Sequence, residues 1–154
     1  MNPRTSPQTR WPEFLFYALA IAGLAGTNAQ VPAYVQGDFV AGNLAFWKDT
    51  VATPAATFIL VDLFVLAAAV LAWMFGEARR IGLARGWTWL YFAGSLLIGI
   101  SCFFPLFLAH RLRVLRRAGQ AEAAPAGADL LGIGLTLATV LLAVAFSLSH
   151  IPAG

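Results

Sequence analysis

The chain of 154 residues has one cysteine, Cys102, two histidines, and hardly any charge: 11% of its residues are ionised at neutral pH. A lone cysteine excludes an intrachain disulfide and offers no metal cluster. A soluble domain of ordinary composition carries about 25% charged residues, so this one does not fold around a core in water. The signatures of the familiar enzyme classes are missing as well. No nucleophile elbow, phosphate loop, metal-ligand spacing or dinucleotide fingerprint occurs, and the basic stretch "GEARRIGLARG" lacks the order of a phosphate loop. No metal and no cofactor is expected. The net charge of +3 is almost all arginine set beside apolar runs. That placement fits membrane lipid headgroups as the partner, and not nucleic acid.

What remains is apolar: 60% hydrophobic residues and a mean hydropathy of +0.75. Four runs approach the roughly 20 residues that a helix needs to cross about 30 Å of hydrocarbon. They are "FLFYALAIAGLAGTNA", "ATFILVDLFVLAAAVLAWMF", "WTWLYFAGSLLIGISCFFPLFL" and "LLGIGLTLATVLLAVAFSLSH". Lipid cannot hydrogen-bond the backbone, and the alternation of barrel strands is absent, so the runs are helices. The expected fold is all-α: a single integral membrane four-helix bundle over residues 1–154, with helices at about 12–29, 54–76, 87–115 and 130–150.

The first run has two readings. Arg4 and Arg10, a short apolar stretch and "TNA" before Gln30 outline a secretory signal peptide. Pro12 and Glu13 before the run, and the ladder Ala18, Ala22, Gly26, favour a retained helix whose small residues admit a close neighbour. Residues 30–53 are too polar to span, with Pro32, Gly37 and Gly42 as breakers. Within them "FVAGNLAFWKD" reads either as a short interfacial helix or as a loop anchored by Trp47. Residues 118–129 read as an Ala/Gly/Pro linker. For four straight crossings, Arg4, Arg10, Arg79, Arg80 and Arg85 share one face, against Lys48, Arg111, Arg113, Arg116 and Arg117 on the other. The counts tie, and the positive-inside rule returns no direction.

One residue stands out. Asp62 lies inside the second run, where an acid at a helix centre costs about 2.5–3.5 kcal/mol and is usually given a partner, a cavity or water. Straight antiparallel neighbours would bring Gly23, Ser101, Cys102, Gly134 and Thr136 to its level. The expected site is therefore a small polar pocket of Asp62, Ser101 and Thr136. The plainer alternatives are a packing hydrogen bond to Ser101 or Thr136, or Lys48 reaching down to pair with the acid. Glu77 and Arg80 have i,i+3 spacing and read as a surface pair. Pro105 would free a carbonyl near Ser101 and kink the third helix. His110 and His150 fall at opposite faces and form no common site.

Asn43, "VDL" at Asp62, "GEARR" from Gly76 to Arg80, "LIGIS" ending at Ser101, and "PLFLAHR" from Pro105 to Arg111 resemble a small uncharacterised bacterial membrane-protein family, domain of unknown function 2834. The resemblance covers about residues 14–111. It implies a compact multi-helix fold in the bacterial inner (plasma) membrane, draws attention to Asn43, Asp62, Glu77, Arg80, Pro105 and Arg111, and implies no activity. Three functions follow as expectations. The first is a non-catalytic accessory subunit or apolar-ligand binder, with Asn43, Trp47, Asp62, Ser101 and Thr136 at its site, working alone, as a homo-oligomer or within a larger membrane complex. The second is an acid-catalysed enzyme on a lipid or isoprenoid, with Trp73, Trp87, Trp89, Tyr91 and Phe103 around Asp62. The third is a small proton-coupled transporter.

Overall fold

The computed structural model describes residues 10–35, 38–120 and 127–149. Arg4, Gly37, His150 and residues 121–126 of the expected linker lie outside them. The elements are α1 (Trp11–Asn28), a 3-10 turn (Val31–Ala33), α2 (Phe39–Thr50), α3 (Pro54–Arg80), α4 (Arg85–Gly94), a π turn (Ser95–Gly99), α5 (Ile100–Arg117) and α6 (Gly127–Ser149). No strand occurs among the described residues. Four helical stretches have the length and composition to cross a membrane: Trp11–Ala33, Pro54–Arg80, Arg85–Arg117 and Asp129–Ser149.

Local chemistry sets the helix starts. The Thr53 hydroxyl accepts from the Ala56 N–H at 3.1 Å, with Pro54 in the first turn of α3. The Asp38 carboxylate accepts from the Val40 N–H at 3.0 Å and starts α2. Such caps satisfy backbone donors that a helix leaves free. Of the two readings of "FVAGNLAFWKD", the structure has the helix.

The third apolar run is not one rod. It doubles back at Gly99, whose φ of +153° is closed to most L side chains. The Tyr91 hydroxyl lies 2.9 Å from His110 Nδ1, and the Trp87 and His110 rings are 5.2 Å apart. Along a straight helix those 19 positions would separate Tyr91 from His110 by about 28 Å. Residues 85–99 and 100–117 are therefore two antiparallel arms of about 22 and 27 Å, each short of a 30 Å crossing. Leu96, Leu97 and Ile98 are exposed at the tip. Pro105, where a kink was expected, sits inside α5. The straight third helix is corrected in this respect: the break is six residues before the proline, where glycine permits a turn.

Pro105 matters in another way. It has no N–H for the carbonyl four residues earlier, and the freed Ser101 carbonyl faces Gly23 on α1, where a Cβ would collide with it. Helices α1 and α5 run antiparallel along this seam. Gly23→Ala is expected to cost about 1–3 kcal/mol, read as a lower unfolding temperature in detergent. Gly76→Ala, with open space around it, is the control. Equal midpoints for Gly23→Ala and the wild type would refute the seam.

Helix α6 meets α1 at their C-terminal ends. The Ser147 hydroxyl donates to the Gly26 carbonyl at 2.7 Å, and the Gln30 amide donates to the Ser147 carbonyl at 2.8 Å. The core lies elsewhere, between the second half of α3 and the hairpin: Leu71, Met74, Ala78, Tyr91 and Phe107. Trp73 packs on Phe104 and Phe107, so α3 runs parallel to α5. Residues 54–70 of α3 contain no buried position, and Leu71 is the first. The register explains this. Followed down the parallel pair, Gly99 falls level with about residue 66 of α3, and below it the hairpin has nothing to offer.

Candidate functional site

At one end of the molecule two buried acids are saturated by arginine. Glu77 Oε1 accepts from Arg111 Nε at 2.5 Å and Arg80 Nη2 at 2.6 Å, and its Oε2 from Arg80 Nε at 2.6 Å. Glu13, at the start of α1, pairs with Arg116 and, at 3.7 Å, with Arg113, which also lies over the Tyr17 ring. Glu77 is 7% and Glu13 6% exposed, so Glu77 with Arg80 is not the surface pair that i,i+3 spacing alone suggests. These networks tie α3 and α1 to α5. They leave no free carboxylate for chemistry.

The hairpin also changes the charge map. It returns Arg111, Arg113, Arg116 and Arg117 to the end that already carries Arg10, Arg79, Arg80 and Arg85. Among the described residues Lys48, on α2, is the cation of the opposite end. The five-against-five tie belongs to straight crossings and disappears.

Asp62 lies at the Lys48 end, about 12 Å from the start of α3. It is exposed on the half of α3 that the hairpin leaves bare. It forms the polar rim of an open depression of about 770 Å³ lined by Val51, Ala52, Thr53, Pro54, Thr57, Phe58, Val61, Asp62 and Val65. Among the described residues the other acids all have a partner: Glu13 and Glu77 in ion pairs, Asp38 at its cap, Asp49 with the Tyr34 hydroxyl at 3.1 Å, and Asp129. Asp62 has none. Desolvation, and then the Asp49 carboxylate, raise the Tyr34 phenol above its ordinary value.

The enclosure expected around Asp62 does not form among the described residues. Ser101 is at the α1–α5 seam. Thr136 is exposed on α6 and donates to its own Gly132 carbonyl at 2.9 Å. Both were placed at the level of Asp62 by assuming a straight third helix. Lys48 does not reach the acid either. Trp47 turns to Phe64 of α3, at 6.2 Å between rings, and Phe64 is about 200° around the helix from Asp62, so α2 covers the opposite flank. Asn43 is exposed on α2. Of the aromatic residues available to an acid catalyst, Trp73, Trp87, Trp89, Tyr91 and Phe103 all pack within the α3–α4–α5 unit, and none lines the depression.

Two features escaped the sequence reading. Glu13 carries a signal, an acid in the first turn before an apolar run, but its arginine partners lie about 100 residues away. The Tyr91–His110 pair depends on the turn at Gly99. No group of His, Cys, Asp and Glu among the described residues could hold a metal.

A family model described as "Protein of unknown function DUF2834" matches residues 15–113, from α1 through most of α5 and short of α6. No curated protein and no solved structure matches the chain.

Proposed function

The chain belongs to that family of unknown function, and from this premise we propose that it is a non-catalytic, multi-pass subunit of the plasma (inner) membrane whose Asp62 face receives a further membrane-embedded group. The observation that carries this reading is the unpartnered acid. A carboxylate facing acyl chains is costly, and every other acid described in the molecule is matched from within. A partner that brings a donor or cation to Asp62, and apolar surface to Phe58, Val61 and Val65, removes that cost and fills the depression. The arginine-rich end lies in the cytoplasm on the positive-inside rule.

Asp62→Leu tests the reading, because Asp62 makes no hydrogen bond or ion pair among the described residues. The variant is expected to unfold at or above the wild-type temperature while losing, by more than tenfold, whatever the wild type retains in mild detergent, read by native mass spectrometry. If wild type and variant retain the same species in equal amount, Asp62 is not a docking residue.

A further inference from the structure

We propose that the group received at the Asp62 face is a second copy of this chain, held by two reciprocal bridges between Asp62 of one copy and Lys48 of the other. The inference rests on the reading above that this face is a docking surface, and it names the occupant.

Charge complementarity carries it. Asp62 and Lys48 have opposite sign, both are exposed, and neither has a partner among the described residues. Both sit at the same end of the molecule, on the continuous α2–α3 unit joined by the short turn at residues 51–53. Helical geometry keeps them apart in one copy, as the opposed directions of Phe64 and Asp62 require. A two-fold axis along the membrane normal removes that obstacle. It sets two α2–α3 units face to face, keeps equivalent residues at equal depth, and makes each contact occur twice, as an isologous interface demands.

Depth is compatible. Helix α2 folds back on α3 through Trp47 and Phe64, which carries Lys48 toward the first turns of α3. Its flexible four-carbon stem lets the ammonium travel along the membrane normal to meet an acid. The rest of the surface is suited to helix contact. Phe58, Val61 and Val65 form an apolar wall beside the small residues Ala52 and Thr53. A pair formed there is desolvated on both sides and neutral overall, so each copy loses two uncompensated charges, its acid and its lysine.

The experiment measures the oligomeric state of the full chain in mild detergent and in lipid nanodiscs. The wild type is expected to be a dimer. Lys48→Glu and Asp62→Lys are each expected to weaken dimerisation at least tenfold, and the double variant, with the charges exchanged, to return within about threefold of the wild type. Lys48→Gln and Asp62→Asn repeat the test without placing a lysine inside the apolar run. Their double variant should be no weaker than either single one. Circular dichroism checks that each variant is folded. Dimers in all single variants, or failure of both double variants to behave as stated, would overturn the bridge. A monomeric wild type that still holds a lipid or another protein through Asp62 overturns the second copy and leaves the docking surface standing. A monomer with no occupant that depends on Asp62 removes both.

Discussion

Glu77→Gln is expected to be the most damaging single substitution in the chain. The carboxylate takes three charge-assisted hydrogen bonds with two guanidinium groups, at 2.5–2.6 Å. A glutamine keeps one acceptor oxygen and turns an amide donor toward a cation. Removing one partner of a buried ion pair typically costs about 3–5 kcal/mol because a charge is left uncompensated. The contribution of Arg80 to that loss is small, since its side chain is largely exposed and water screens it. Most of the loss falls on Arg111, which is 16% exposed. Thermal unfolding in detergent reads the effect. Glu77→Leu combined with Arg111→Leu should recover part of the stability, because the unpaired charge goes with its partner. A midpoint for Glu77→Gln equal to the wild type would mean that the network does not join α3 to α5.

The second large effect is one of topology. Because the hairpin enters and leaves by the same end, Ala84 before α4 and Ala118 after α5 lie at one end of the molecule. In a Cys102→Ser background, Ala84→Cys and Ala118→Cys are expected to react with an impermeant maleimide from the same side, the cytoplasmic one, and to be protected in intact cells. A straight third helix predicts opposite sides. Labelling of Ala118→Cys alone in intact cells would abolish the hairpin, and with it the explanation of why α3 is half bare.

The all-α fold and its four long apolar stretches were legible because the length and polarity of a membrane span are read directly from the chain. The turn at Gly99 was not. A glycine within "LIGIS" is unremarked in an apolar run, and only the packing of Trp87, Tyr91 and Gly94 on α5 reveals that the chain reverses there. Pro105 was the more visible breaker, yet the carbonyl it frees finds its place against Gly23. One clue was present. An even split of arginine and lysine across the two faces is unusual, and doubling the third run removes it. Asp62 was conspicuous as an acid among aliphatic residues. Its surroundings were misjudged for the same reason: Ser101 and Thr136 were placed at its level by taking the third run as one straight crossing. The Glu13 network was hidden by sequence distance, as long-range pairs are without coordinates.

The shortness of the hairpin gives the molecule a taper. At the arginine end α1, α3, α4, α5 and α6 all contribute cross-section, whereas beyond Gly99 only α1, α3 and α6 of the described helices continue, and α2 restores part of the difference. An inclusion that displaces more lipid from one leaflet than from the other favours a bilayer bent convex on its broad side. In a bilayer, curvature, and not thickness alone, is then expected to act on this small chain.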